Sequence, residues 1–237
     1  MALKNYKLNK QQQERLIKGV AATLVLPMLD SIEDFIWEAI FCFTKDIPLV
    51  DPLFNTRSKR LFDIVDKSKR IGWSAKAIQQ NFSEGRTFEI VIQRSDVFSI
   101  GESLGFPGLN KNSNPNIIGA ALLKHWHQKI INDAEAQGID DKRICVLLKS
   151  PTYDRFAYLE EDLTIYKPDE LDWRWTNDKK RGLQGIRKSD SRVVYRWYPS
   201  QKQFFERFLF TKDHFTFKLT PQRLPLKDVI DLLYNKL

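Results

Sequence analysis

Three strand candidates lie close together within residues 61–94, and this arrangement restricts the fold more than any other feature. They are Leu61–Asp66, Gly72–Gln79 and Thr87–Arg94. The turns between them, Lys67-Ser68-Lys69-Arg70 and Asn81–Arg86, are too short for a crossover helix. Parallel neighbours need a connection of about a dozen residues or more, so the short links predict three antiparallel neighbouring strands.

A helix and a buried strand are predicted next. Asn114 and Pro115 suit a helix cap and a first helical residue, and Gly138 suits the end of that helix. The run Arg143–Lys149 (RICVLLK) is apolar enough for a strand covered on both faces. Residues 10–44 predict two helices broken near Pro27. The order helix, three strands, helix, strand indicates an α/β (mixed α+β) fold with a central mixed sheet flanked by helices.

The remaining chain is richer in aromatic and charged residues. We predict a single domain over 1–237, with a core over about 10–150, an elaboration over about 151–220 and a terminal helix over 225–237. A loop is expected at 51–56. Within the elaboration the predicted elements are strands at Phe156–Tyr166, Val193–Tyr198 and His214–Leu219 and a short helix at Gln201–Phe208.

Composition narrows the function classes. The net charge of +8 and the pI of about 9.4 indicate a polyanionic partner. With only three histidines, a histidine zinc site and a Ser-His-Asp hydrolase are disfavoured. Cys42 and Cys145 lie in apolar runs and are predicted to be buried thiols. No apolar run approaches the roughly 18 residues of a membrane span, and the polar N-terminal residues contain no apolar signal core, so we expect a cytoplasmic protein without membrane contact. No GxxxxGK[ST] loop is present, which disfavours a nucleotide cofactor.

The strand candidates carry the residues that metal-dependent phosphodiester cleavage needs. Mg²⁺ prefers oxygen ligands, and a lysine stabilises the charge that develops on the phosphate. Asp63 lies on the first strand, and a hairpin could bring it to Lys76 on the second. Ser74 and Lys76 are two residues apart and share a face, as do Glu89 and Gln93 on the third strand.

This order of elements and residues resembles the PD-(D/E)xK nucleases, and IGWSAKAIQ followed by FEIVIQR resembles restriction-enzyme sequence. The likeness covers roughly 60–150 and, more loosely, GLQG and RWYPSQ. Ser74 stands where the motif has an acid, as in Ser-x-Lys members, where the missing carboxylate comes about a dozen residues later. Glu89 follows Lys76 by 13 residues. The resemblance implies a restriction-endonuclease-like core in which Asp63 and Glu89 hold Mg²⁺, Lys76 is the electrostatic partner and Ser74 completes the motif.

Other assignments remain open at this point. Glu89, Gln93 and Arg94 could form the motif on the third strand. Asp66 could replace Asp63. Glu84 could replace Glu89, as could a helix carboxylate, Glu33 or Glu38.

A DNA-reading surface is predicted in residues 173–207, which hold ten Lys or Arg and three Asp or Glu. Arginine and lysine neutralise phosphates, arginine reads guanine, and glutamine reads adenine. Gly182 and Gly185 could let the backbone approach DNA. The candidate DNA-binding residues are Arg174, Lys180, Arg181, Gln184, Arg187, Lys188, Arg196, Trp197, Tyr198 and Gln201.

These features and the resemblance together predict a Mg²⁺-dependent type II restriction endonuclease that binds double-stranded DNA as a homodimer. A repair, recombination or transposition nuclease of the same fold is the nearest alternative. A DNA-binding protein without catalysis is another, because the motif acid is a serine. An RNA-binding module is a further alternative.

Overall fold

A computed structural model describes residues 6–27, 29, 31–49, 60–220 and 222–235. In chain order the elements are α1 (Lys10–Leu24), α2 (Asp34–Lys45), β1 (Ile64–Asp66), β2 (Ile71–Gln79), β3 (Thr87–Arg94), α3 (Val97–Ile100), α4 (Pro115–Gln137), β4 (Asp141–Lys149), β5 (Arg155–Asp162), a 3₁₀ turn (Pro168–Glu170), β6 (Leu171–Trp175), β7 (Leu183–Arg187), β8 (Val193–Tyr198), β9 (Gln203–Leu209), β10 (Phe215–Lys218) and α5 (Leu226–Tyr234).

The chain forms two compact units whose segments alternate along the sequence. Unit 1 comprises Met1–Phe82, Gln137–Leu163 and Lys212–Leu237, and unit 2 comprises Ser83–Ala136 and Thr164–Thr211. Each unit has its own five-stranded sheet.

The sheet of unit 1 has the strand order β1-β2-β4-β5-β10. β2 and β4 are parallel, and the other neighbours are antiparallel. Apolar side chains of α1 and α2 pack with one face of this sheet, where Phe41 contacts both Trp37 and Trp73 of β2. The helices thus cover one face of β2, and its parallel neighbour β4 pairs along one edge.

A buried carboxylate links the strands within this core. Glu160 of β5 is 0% exposed and accepts hydrogen bonds from Trp73 Nε1 at 2.7 Å and Arg143 at 3.0 Å. Lys45 and the Tyr158 hydroxyl also donate to it. Burial opposes the charge on Glu160, but Lys45 and these hydrogen bonds hold its pKa below the usual value. Removing one partner of such a group is strongly destabilising, so the network fixes β2 against β4 and β5.

The sheet of unit 2 has the order β3-β9-β8-β7-β6, and every neighbouring pair is antiparallel. One face is buried, with Tyr195, Trp197 and Phe204 at its centre. α4 packs closely beside Trp173: a Cβ at Gly119 would lie 2.3 Å from its ring. Asn116 of α4 also accepts a hydrogen bond from the Trp173 amide at 2.8 Å.

The mixed α+β class is confirmed, as are both early helices, the helix at Pro115 and the strands at β2, β3, β4 and β8. Cys42 and Cys145 are buried free thiols, also as predicted. Two strands, β6 and β7, were not predicted. The loop expected at 51–56 lies outside the described residues.

Two predictions about the strands are wrong. β3 does not join β1 and β2 but pairs with β9 in the other sheet, so the three-strand antiparallel set does not form. The helix predicted at Gln201–Phe208 is a strand, β9. Its residues alternate between half-buried and buried, the period of a strand with one face in a core, and β3 and β8 supply hydrogen-bonding partners on both of its edges.

Among the described residues no helix is both long enough and apolar enough to cross a membrane.

Candidate functional site

The edge of β2 in unit 1 holds two carboxylates. β1 pairs only with Ile71–Trp73 of β2. The amides of Ala75 and Ala77, which point to the same edge of β2, therefore lie beyond the end of β1 and have no strand partner there. Unpaired strand amides need acceptors. Asp63 Oδ2 accepts the Ala75 amide at 2.9 Å, and Asp34 Oδ1 accepts the Ala77 amide at 2.7 Å. These amides are two residues apart, about 6.6 Å along a strand.

Lys76 lies between these two amides in sequence. Its Nζ is 3.5 Å from Asp63 Oδ2, and both side chains keep 25% of their surface exposed. The predicted hairpin therefore does bring Asp63 and Lys76 together. Ser74, two residues before Lys76, is only 2% exposed and pairs with Ile144 of β4. Ser74 is therefore a buried residue of unit 1.

The electrostatics of Asp63 are unusual for a carboxylate next to a lysine. Burial raises its pKa, and the neighbouring Asp34 raises it further. Lys76 and the Ala75 amide lower it, but they do not compensate fully. The ionised form of Asp63 is therefore held at a cost, which an added cation would relieve.

The carboxylate pair has oxygens to offer a cation. The hydrogen bonds described for this pair engage Asp63 Oδ2 and Asp34 Oδ1, leaving the second oxygen of each carboxylate for a ligand. No group of three or more His, Cys, Asp or Glu side chains with metal-binding geometry occurs in the described part of the chain. Mg²⁺ does not require one, since it usually keeps several waters and binds one or two carboxylates plus a substrate phosphate. The donor set fits Mg²⁺.

Asp34 was not identified from the sequence. It is the first residue of α2, where a carboxylate is favoured by the helix dipole. That position also supports an ordinary structural role, so only the hydrogen bond to Ala77, 43 residues away, marks it as part of the site.

Lys149 holds the segment that carries Asp34. This lysine ends β4, is 4% exposed and donates a hydrogen bond to the Ile32 carbonyl just before α2. Burial lowers its pKa, while the nearby Glu33 and Asp34 raise it. Lys149 therefore positions the start of α2 against the end of β4.

The other predicted acids lie elsewhere. Asp66 accepts hydrogen bonds from Ser68 and Lys69 in the turn after β1, which lower its pKa to about 2. Glu84 is exposed in the turn before β3.

Glu89 was predicted to join Asp63 and Lys76, but it belongs to unit 2, whereas Asp63 and Lys76 belong to unit 1. Its Oε1 lies 2.9 Å from Arg196 and 3.0 Å from Arg207. Two arginines on one carboxylate make a poor cation site.

Several predicted DNA-binding residues share the outer face of the unit 2 sheet. The register aligns one row across all five strands: Arg174, Gln184, Arg196, Phe205 and Val91. Tyr198 lies on the same face, with its ring 5.4 Å from that of Phe205. Sequence reasoning missed Phe205 and Arg207 as members of this face. We refer to these side chains, with Glu89, as the outer face.

The remaining candidates have other positions. Trp197 was predicted to bind DNA, but it does not lie at the surface. It is 0% exposed and donates its indole N–H to the Ser95 carbonyl in the core of unit 2. Arg187 pairs with Asp190 and the Tyr166 hydroxyl, and Lys180 binds the loop at Lys111 and Asn112. Arg181, Lys188 and Gln201 are exposed in the connections between strands. A Cβ at Gly185 would lie 3.0 Å from the Trp173 ring, so this glycine serves packing.

Comparison with protein-family models, curated proteins and solved structures found no match to this chain.

Proposed function

We propose that this protein is a Mg²⁺-dependent endonuclease that cuts double-stranded DNA, as the PD-(D/E)xK resemblance implies. One observation carries the proposal: Asp63 and Asp34 bind alternate amides on one edge of β2, with Lys76 between those amides and 3.5 Å from Asp63. The net charge of +8 supports a polyanionic substrate such as DNA. We further propose site-specific, restriction-type cleavage by a homodimer, because a symmetric dimer suits a symmetric site.

Asp63 and Asp34 would hold the metal in this proposal. When bound, Mg²⁺ supplies a Lewis acid for the scissile phosphate and lowers the pKa of attacking water. The Asp63 carboxylate orients Lys76 through their ion pair. The Lys76 ammonium stabilises the negative charge that develops on the phosphate oxygens during attack. The Ala75 and Ala77 amides fix the two carboxylates, so the charges are oriented before substrate binds.

Replacing Asp34 tests the acid assigned from the geometry. Asp34→Asn keeps an oxygen for the Ala77 amide but removes a metal ligand. We expect the Mg²⁺ concentration for half-maximal cleavage to rise about tenfold or more, since even outer partners of metal sites change affinity by that factor. Glu33→Gln is the matched control, with the same charge change one residue earlier, and should leave the Mg²⁺ profile unchanged. Equal profiles for both variants would remove Asp34 from the site.

A DNA-binding protein without catalysis is the second candidate, favoured by one observation. Ser74 occupies the motif's acid position and is buried at 2% exposure, so it offers no carboxylate there. Specific DNA binding in EDTA with no cleavage in Mg²⁺, Mn²⁺ or Ca²⁺ would establish this alternative.

A further inference from the structure

The outer face of unit 2 is wide relative to a DNA groove. Its row of side chains crosses five strands, which places the outermost strands about 19 Å apart at the usual spacing of about 4.8 Å. The major groove of B-DNA is about 12 Å wide and admits a helix or a two-stranded ribbon. A five-stranded face therefore cannot enter it. Sheet faces of this kind suit a nucleic-acid strand laid across them with its bases turned to the protein.

Two arginines on this face converge on a single anionic oxygen. Arg196 and Arg207 lie 2.9 and 3.0 Å from Glu89 Oε1, with 30% and 17% of their side chains exposed. Burial lowers the pKa of Arg207, and the charge of Arg196 lowers it further. Two guanidinium charges against one carboxylate leave a positive surplus. Two arginines placed in this way can also bind a phosphate, because phosphate and carboxylate oxygens both accept charge-assisted hydrogen bonds from guanidinium groups.

Aromatic rings flank the arginine pair. Phe205 pairs in register with Arg196 on β8 and with Val91 on β3, which is 38% exposed. Tyr198 meets the Phe205 ring at 5.4 Å and 88°, and its hydroxyl accepts a hydrogen bond from Arg196 at 3.5 Å. Bases stack on aromatic rings regardless of sequence, because every base has a π-face. Arg196 and Phe205 thus lie side by side on neighbouring strands, with Tyr198 beside both.

We propose that the outer face binds an unpaired nucleic-acid strand, with a phosphate bound by Arg196 and Arg207 and bases stacked on Phe205 and Tyr198. In the free protein Glu89 occupies the phosphate position. Glu89 is thus a competitor for the site, and its removal increases affinity. This inference does not depend on catalysis, so it stands or falls separately from the proposed nuclease activity.

The direct test compares a labelled dT oligonucleotide of about 12 nucleotides with a duplex of the same length. Binding is measured in EDTA across a range of salt. The single strand is expected to bind more tightly than the duplex. Equal or tighter binding of the duplex would overturn the proposal. A uridine oligonucleotide run in parallel distinguishes a ribose from a deoxyribose strand, and a preference for either over duplex supports the proposal.

Glu89→Gln tests the competitor role. It should tighten single-strand binding and steepen the plot of log K against log salt by about 0.7, the value for one charge on a single strand, because Glu89 no longer neutralises one of the two arginines. Glu84→Gln makes the same charge change in the turn before β3 and should leave the slope unchanged. If the two variants behave alike, the effect is general charge and the arginine site is wrong.

Phe205→Leu tests stacking separately from charge. It keeps an apolar side chain in the sheet, so thermal melting should change little. Single-strand affinity should fall about tenfold, while the salt slope stays constant. Unchanged affinity in a folded variant would remove Phe205 from the binding face. Cleavage of plasmid DNA by the same proteins is assayed separately, so a failure of the nuclease proposal leaves this result interpretable.

Discussion

Lys76→Ala is expected to reduce DNA cleavage by a factor on the order of a hundred or more while leaving DNA binding nearly intact. The ammonium lies 3.5 Å from Asp63, and in the proposed mechanism its charge stabilises the transition state more than the bound substrate. Loss of one such electrostatic partner typically costs about a hundredfold to a thousandfold in rate. Single-turnover cleavage and a binding assay in EDTA measure the two effects separately.

Lys67→Ala is the matched control for that prediction. Lys67 lies exposed in the turn between β1 and β2, so the substitution removes one positive charge from the same hairpin without touching the site. It should cut at the wild-type rate. Wild-type cleavage by Lys76→Ala, or an equal loss in both variants, would contradict the role given to Lys76.

Asp63→Asn is expected to abolish Mg²⁺-dependent cleavage without loss of stability. Asparagine keeps an oxygen for the Ala75 amide but carries no charge for a metal. The pKa of Asp63 is raised in the folded state, so ionised Asp63 lowers the stability of the fold above that pKa. This cost disappears as pH falls to where Asp63 is protonated in both the folded and the unfolded protein. The variant should therefore melt at or above the wild-type temperature at pH 7. Each kcal/mol relieved corresponds to about 2–4 °C for a chain of this size.

Asp66→Asn should show the opposite behaviour. The pKa of Asp66 is lowered to about 2 by Ser68 and Lys69, so its charge contributes stability above the unfolded pKa, which is lost as pH falls through about 2. The variant should melt below wild type at pH 7, converge with it in acid, and still cut DNA. If Asp66→Asn is inactive and Asp63→Asn active, Asp66 is the catalytic acid.

Local contacts explain what the sequence could predict of the site. Asp63 and Ala75 are 12 residues apart, and a tight hairpin with period-two spacing brings Asp63 and Lys76 together. The second carboxylate could not be found in this way. Asp34 reaches β2 across 43 residues through one side chain and one amide, a contact without a sequence pattern.

The assignment of β3 failed for a related reason. The short link before it favours pairing with β2, but its partner is β9, with Glu89 opposite Arg207. β9 itself was predicted as a helix. Phe204 and Phe208 are four residues apart, and this spacing fits one face of a helix and, being an even number, one face of a strand as well. Strand hydrogen bonds from both neighbours decide between the two, and one of those neighbours, β3, is distant in sequence.

Incubation of the protein with phage DNA, in Mg²⁺ and in EDTA, tests the central claim most directly. The proposal predicts discrete fragments in Mg²⁺, none in EDTA, and none with Asp63→Asn under either condition. Intact DNA in Mg²⁺ with wild-type protein that is folded and binds DNA would contradict it, as would cleavage that persists in EDTA or in Asp63→Asn.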